Sequence, residues 1–350
     1  MPKASYWLGI DTSCYTTSVA AALAEGTPVQ YRKLLEVPLG KRGLQQSEGV
    51  FQHLQQLPGL LAPVFSAYGA PLGIAVSSRP RPVEGSYMPV FTVGERFAEV
   101  LSASHGVPLM RTSHQEGHIM AGLHDAMPAL TEERFLAVHL SGGTSEIVAV
   151  DCHAGGMNIT LLGGTQDLHA GQMVDRVAVA LGLPFPGGPA LEALATTCTT
   201  KPHPLPVAVQ GMQCSFSGPE SEAQRRIAAG VAPAEVALAL FVCITRTLQQ
   251  LIGTAAQHAG LTHVLLAGGV AANKQVRTTL AVENVTLHYA SLALSGDNAV
   301  GVALLGKSGG SRHANLVCRA GHPICKRDAG TRSHVDRRGD QRRNFQFRCP

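Results

Sequence analysis

Three things are scarce in this chain of 350 residues, and each absence closes off a class of protein. There is no long uncharged apolar run: the best stretch, Val236 to Ile244, is too short to span a bilayer and lies between Glu235 and Arg246. No membrane partner is expected. Met1 to Tyr6 leads straight into strand-like sequence with Asp11 close behind, which is no secretory signal, so the expected location is cytoplasmic. Paired cysteines are also missing. The eight cysteines, at positions 14, 152, 198, 214, 243, 318, 325 and 349, show no CxxC spacing, which fits reduced thiols better than a disulfide framework. Finally, excess positive charge is missing from most of the chain despite a net charge of +4. From Ser308 onward there are ten Arg/Lys against three Asp/Glu, which leaves eighteen against twenty-one in residues 1–307. The body is therefore mildly acidic and the tail basic, poor in aliphatic residues and without apolar period, so the tail is not expected to fold by itself.

What is present is enough apolar sequence, 45% of the chain, to bury a sizeable core in two domains or two lobes. The most telling pair is His114 and His118. Four residues apart in the stretch Arg111 to Ala121, they share one helical face, where a single metal ion can take both imidazoles. With fifteen histidines, chance supplies about 0.6 such pairs, so the spacing alone carries little weight. A zinc peptidase is excluded on geometry: the nearby acid is Glu116, two residues after the first histidine, which on a helix points roughly 200° away from the pair.

Around that pair the chain repeats a design. Tyr6 to Ile10 reads as a strand, Asp11 to Thr17 as a polar turn, and Ser18 to Leu23 as a returning strand. Phe135 to Leu140, Ser141-Gly142-Gly143-Thr144-Ser145 and Glu146 to Val150 repeat it about 130 residues later, which suggests duplication. A third turn, Ala267 to Asn273, follows the strand His263 to Leu266 and opens a helix from Lys274 to Leu280. Small residues before a helix start let backbone amides approach phosphate. Helices are expected at Leu44 to Leu57, Val93 to Ser104, Val174 to Leu181 and about Ala232 to Leu251, a strand at Gly73 to Ser77, and a rigid loop over Pro184 to Pro189. The alternation gives an α/β fold class, with lobes at 1–130 and 131–307 and a tail at 308–350.

Gly9-Ile10-Asp11-Thr12-Ser13-Cys14, His114-Gln115-Glu116-Gly117-His118, Ser141-Gly142-Gly143, Asp175 with Pro186-Gly187-Gly188-Pro189, Ser215-Phe216-Ser217-Gly218, Gly268 to Asn273 and Ser295-Gly296-Asp297-Asn298 occur here in one order. That order resembles the TsaD family, the threonylcarbamoyl transferases of transfer RNA, which share the fold of actin, heat-shock ATPases and sugar kinases. The resemblance covers nearly all of residues 6–306. It implies one divalent metal ion, iron or zinc, held by His114, His118 and Asp297, a donor set that suits a transition metal. It implies nucleotide contacts at Leu140, Ser141, Gly142, Gly143 and Thr144, and at Asp175, Gly188 and Asn273, and a catalytic position at Asp11. It also implies a substrate, threonylcarbamoyl-AMP or another adenine nucleotide, and three macromolecular partners: tRNA, a non-catalytic paralogue of the same fold and a small P-loop ATPase.

Several positions depart from the family pattern. Tyr15 and Thr16 stand where an acidic pair usually follows Cys14, Thr144 replaces a histidine, Glu220 replaces a lysine, and Ser78 to Gly85 replaces a Gly-Pro-Gly segment. Three functions are compatible with this pattern: the transferase or a close variant, a non-catalytic paralogue that binds metal and nucleotide, and another activity of the fold such as ATP hydrolysis or small-molecule phosphorylation. Against a kinase, no carboxylate stands in an obvious position to act as base for a substrate hydroxyl.

Overall fold

The computed structural model describes residues 5–310 apart from 14, 39–42, 128, 131–132 and 154–155. Cys14 and nearly all of the basic tail therefore lie outside the described residues. Of the four cysteines described, Cys152, Cys198, Cys214 and Cys243, none is in a disulfide.

Two mixed sheets are built on one plan. In the first, β1 (Tyr6–Asp11) pairs antiparallel with β2 (Thr16–Leu23), which pairs antiparallel with β3 (Val29–Leu34). On its other side β1 runs parallel to β4 (Gly73–Arg79), and β4 to β5 (Leu109–Ser113), giving the order β3-β2-β1-β4-β5. The second sheet repeats this as a meander of β6 (Arg134–Leu140), β7 (Ser145–His153) and β8 (Gly156–Thr165), with a short β9–β10 hairpin (Ala208–Gln210, Gln213–Ser215) added outside β8. Parallel strands β11 (His263–Ala267) and β12 (Thr286–Tyr289) complete it beside β6. The duplication expected from the two hairpins thus extends to five strands in each copy.

The strands' period-two alternation sorts side chains between layers. In β1, Tyr6, Leu8 and Ile10 pack with Leu57, Leu61 and Val64 of α1 (Gln46–Tyr68) and Val93 and Ala98 of α2 (Phe91–His105). The opposite face of β1, with Trp7, Gly9 and Asp11, turns inward. In β6, Leu136, Val138 and Leu140 pack with α4 (Ala170–Ala180), α5 (Gly188–Thr196), α6 (Ser217–Ala228) and α7 (Pro233–Ala259). Phe135 and Ala137 face the other way, into a cluster with Ile119 and Leu123 of α3 (His114–Ala126). Three short helical elements complete the order: α8 (Lys274–Thr279), α9 (Leu292–Ser295) and α10 (Val300–Gly310).

Helices α3 and α10 form the layer between the sheets, and glycine permits it. A Cβ on Gly301 would stand 1.8 Å from the Gly117 carbonyl oxygen, and one on Gly9 would stand 2.5 Å from that of Ala299. The helices therefore meet backbone to backbone, and α10 rests on β1. The last described helix belongs spatially to the first sheet, across the expected division at residue 130. It runs to Gly310, past the expected tail boundary at Ser308.

Four sequence expectations need correction. α1 continues through Pro58 and Pro63 to Tyr68 rather than stopping at Leu57. Burial of His53, Leu57, Leu61 and Val64 outweighs the hydrogen bonds lost at the prolines. The helix expected from Val174 begins four residues earlier, at Ala170. The proline-rich stretch is a loop only to Gly187; α5 begins at Gly188 with Pro189 in its first turn, where a missing N–H costs nothing. α7 extends beyond Leu251 to Ala259, ending at Gly260 in the left-handed conformation. It is long and apolar enough to cross a membrane by composition, but 67% of its most apolar window is buried against neighbours.

Candidate metal and nucleotide site

The imidazoles are presented by a well-built helix start. Ser113 caps α3: its Oγ accepts from the Glu116 backbone N–H at 3.2 Å, while Glu116 Oε2 accepts from the Ser113 backbone N–H at 2.7 Å. Glu116 is thus consumed in a capping box, which gives the geometric exclusion of a peptidase its structural reason. His114 and His118 follow on the buried face, with ring centroids 4.4 Å apart.

Asp297 comes from the loop between α9 and α10. Asn298 fixes that loop: its Nδ2 donates to the carbonyls of Leu294 (2.9 Å) and Gly296 (2.8 Å), and its Oδ1 accepts from Val300 N–H at 3.0 Å. Asp297 Oδ1 then lies 3.4 Å from His118 Nε2 and 3.6 Å from His114 Nε2, and the two Nε2 atoms are 3.1 Å apart. Three donors bonded at roughly 2.0–2.1 Å to a tetrahedral centre would be about 3.3 Å apart, so these atoms fit a common metal ion. The two Nε2 atoms and the carboxylate oxygen converge on one point, which can hold either a shared hydrogen-bonding proton or a divalent metal ion.

Asp11 stands behind this cluster. Its Oδ2 is 2.7 Å from His114 Nδ1, and its Oδ1 accepts from Ser77 Oγ at 2.8 Å and Ser13 N–H at 2.9 Å. Burial works against its charge, but the attraction and hydrogen bond of His114 hold the carboxyl below its usual range. Burial likewise opposes the protonated imidazole of His114, yet Asp11 pushes its pKa up to about 10. With Nδ1 committed to Asp11, His114 directs Nε2 at the convergence point, the carboxylate–histidine arrangement found behind metal ligands. Asp297 is held well below the usual carboxylate range; burial opposes this, and hydrogen bonds from both histidines prevail.

Sequence reasoning missed His139. It lies near the end of β6, and its ligand atom falls with those of His114 and His118 within 4.8 Å of one another. Neither ring nitrogen of His139 has a hydrogen-bond partner, although the residue is 1% exposed. The available signal was a lone histidine in the apolar run Phe135 to Leu140, since a buried imidazole without partners is costly.

Immediately after His139 the expected nucleotide residues form a closed chain of contacts. Leu140 carbonyl accepts from Val270 N–H at 3.0 Å, joining the second and third glycine turns. Gly268 adopts φ +99°, and a Cβ there would stand 2.2 Å from that same carbonyl oxygen. Ser141 carbonyl accepts from Gly171 N–H at 3.2 Å, seating the start of α4 against the Ser141–Thr144 turn, a place that favours an anion. One turn along α4, Asp175 Oδ1 accepts from Gly187 N–H at 2.8 Å, and burial pushes this carboxyl up to about 6. Gly188 opens α5, whose Glu192 accepts from Asn273 Nδ2 at 2.7 Å. Asn273 Oδ1 in turn caps α8 by accepting from Val276 N–H at 3.0 Å, which returns the chain to the third turn. Gly142 and Gly143, at the tip of the second turn, are exposed.

Surface cavities occur elsewhere, about 490 Å³ near α6 and α7 and about 680 Å³ near α1. Neither gathers buried titratable groups as this site does.

Two copies of one strand order, with glycine turns at the carboxyl ends of parallel strands, define the fold of sugar kinases and actin-like ATPases. The likeness is visible in HypF from T. kodakarensis, with TM-score 0.56 and 16% identity, covering 88% of this chain and 48% of that one. A ROK family glucokinase from Streptomyces griseus has TM-score 0.50 and 10% identity, covering 87% of this chain and all of that one. Within this class the chain belongs to the TsaD family, described as tRNA N6-adenosine threonylcarbamoyltransferase, whose model matches residues 49–304. Relatives bearing that name include one from Thermus thermophilus, 31% identical over 309 residues, covering 86% of this chain and 91% of the relative. One from Gluconobacter oxydans is 30% identical over 359 residues, covering 94% and 96%. The chain is a member of an enzyme family, and the family carries transferase activity in its name.

Proposed function

We propose that this protein modifies tRNA by moving a threonylcarbamoyl group from its mixed anhydride with AMP to the N6 amine of the adenosine beside the anticodon. The observation that carries this reading is the adjacency of the His114–His118–Asp297 cluster to the ring of contacts through Ser141, Asp175, Gly188 and Asn273, joined by the His139–Leu140 step of one strand.

In the transfer, N6 attacks the carbamoyl carbon, the carbon–oxygen bond to phosphate breaks, AMP leaves with the electron pair, and N6 loses one proton. His114, His118 and Asp297, with His139 alongside, would hold a divalent iron or zinc ion, which when bound supplies positive charge toward substrate oxygens. The protein's own contribution is placement. Asp11 orients His114, the Ser141–Thr144 turn and the start of α4 favour the phosphate, Asp175 accepts from ribose hydroxyls, and Gly188 allows close backbone approach. Asn273 already serves α8 and Glu192, so it acts by shaping the turn and by the remaining capacity of its amide. The acidic body needs help to hold RNA, which suits assembly with a paralogue of the same fold and a small P-loop ATPase.

A second reading, binding of metal and nucleotide without transfer, rests on the first turn. Tyr15, in place of an acid, packs edge-on against Phe185 at 5.1 Å. Complementation of a strain depleted of its own transferase, with mass spectrometry of the modified nucleoside, separates the two. Restored threonylcarbamoyladenosine supports transfer, and none from folded, metal-loaded protein overturns it. Metal analysis of His114→Ala and Asp297→Ala tests the cluster: loss of metal in both is expected, and unchanged content removes the site.

A further inference from the structure

The segment between β4 and α2 crosses the carboxyl edge of the first sheet, where ligands bind in open α/β folds. Its backbone is fixed at two points: Pro80 carbonyl accepts from Gln115 N–H at 3.0 Å, and Arg81 N–H donates to Ser86 Oγ at 3.0 Å. From there the Arg81 guanidinium reaches the second sheet and forms an ion pair with Glu146 of β7. Glu146 is the direct cross-strand partner of His139, so both side chains leave the same face of the hairpin. Its other oxygen accepts from Gln115 Nε2 at 3.0 Å.

The partners differ in exposure. The Glu146 side chain is 10% exposed and the Arg81 side chain 40%, so the guanidinium presents its remaining N–H donors to solvent. Glu146 sets its location: it stands opposite His139, a member of the imidazole cluster, and directly follows Ser145, which closes the second turn. A forked cation is therefore held beside both the candidate metal centre and the candidate phosphate turn.

Taking the acyl-adenylate reading above as the premise, we infer that Arg81 determines donor binding by gripping an oxyanion group that lies between the imidazole cluster and the Ser141–Thr144 turn, with Glu146 as its partner until that group arrives. A guanidinium suits this task because it offers two parallel N–H donors to a carboxylate or phosphate. In an acyl adenylate the oxyanion is either the α-phosphate or the carboxylate of the threonyl moiety, and the test distinguishes them.

The full-length, metal-loaded protein is compared with Arg81→Gln and Arg81→Lys. Metal content and thermal unfolding serve as fold controls, with calorimetric binding of AMP and of adenosine and steady-state kinetics with threonylcarbamoyl-AMP as readouts. If Arg81 holds the phosphate, Arg81→Gln weakens AMP binding about tenfold or more and leaves adenosine unchanged. If it holds the carboxylate, AMP binding is unchanged, KM for the donor rises about tenfold, and kcat stays within about twofold. Arg81→Lys recovers part of either loss. Wild-type values for both AMP binding and donor KM in Arg81→Gln overturn the inference, as does a fall in kcat alone. Should Arg81→Gln fail to fold, Glu146→Gln carries the test: releasing the guanidinium tightens AMP or donor binding, and unchanged or weaker binding of both overturns the inference. A wild-type protein that binds neither AMP nor adenosine overturns the functional reading itself.

Discussion

The two hairpin turns occupy the same place in the two copies of the strand order, and the chain uses them in opposite ways. In the first, Asp11, Thr12 and Ser13 are all buried; Asp11 is bonded to His114, Ser77 and the Ser13 N–H, and Thr12 to Val90 carbonyl at 2.9 Å, while Ser13 Oγ has no partner. In the second, Gly142 and Gly143 are exposed and small, with Gly143 N–H donating to Ser141 Oγ at 3.3 Å and the flanking backbone bonded at Ser141. The repeat supplies two equivalent positions at strand ends, one closed into the support of the imidazole cluster, the other with its tip exposed.

Breaking the closed turn has the largest expected effect. Asp11→Ala removes one partner of a buried charged pair, which typically costs about 3–5 kcal/mol, and it releases His114 from its orientation, which typically costs roughly 10–100-fold in metal affinity. Thermal unfolding and metal analysis should show both losses, with Asp11→Asn in between because it keeps an oxygen acceptor. Unaltered metal affinity in Asp11→Ala would erase the distinction between the turns.

A medium effect is expected at Asp175, on the open side. Its carboxyl titrates near 6 because of burial, so above that pH it is an anion able to accept from ribose, and below it carries a proton. AMP affinity should therefore fall by up to about tenfold for each pH unit below 6, and Asp175→Asn should flatten the profile. The sign reverses for the unliganded fold. A carboxyl raised from 3.8 to about 6 favours folding at low pH and loses that contribution as pH rises through 6. Asp175→Asn should then raise stability by about 1–3 kcal/mol at pH 8 and not at pH 3, as denaturant titrations at the two values would show.

The smallest effect on the fold should come from the tip of the open turn. A Cβ on Gly142 meets no atom within 4 Å, so Gly142→Ala should unfold like the wild type while nucleotide binding weakens severalfold. A drop in melting temperature without a binding defect would show that this turn, too, is structural.

Much of this was legible in the sequence, though unevenly. The paired hairpins gave the repeat because strand period and small polar turns are local signals. The i, i+4 histidines were visible for the same reason, and Glu116 could be dismissed from helical angle before its capping role was seen. Asp297 joins His118 across 179 residues, a pairing that no spacing rule supplies and that only the family resemblance suggested. His139 escaped because one imidazole in an apolar strand looks like a core residue until the strand is set beside α3. The prolines of α1 misled because their penalty is local, while the burial that overrides it is tertiary. Glu192 was invisible too: its bond to Asn273 depends on α5, concealed behind glycine and proline punctuation.

The seating of α10 on β1 has a consequence for biosynthesis. Asp11, His114 and His118 leave the ribosome early, but Asp297 and the helix that covers Gly9 and Gly117 emerge nearly 180 residues after His118. At roughly 5–20 residues per second, the nascent chain spends about ten to forty seconds with its first sheet bare on the inner face and its imidazole cluster without the carboxylate. The cluster is complete only once residue 297 has emerged, and a chain cut short before it lacks that carboxylate.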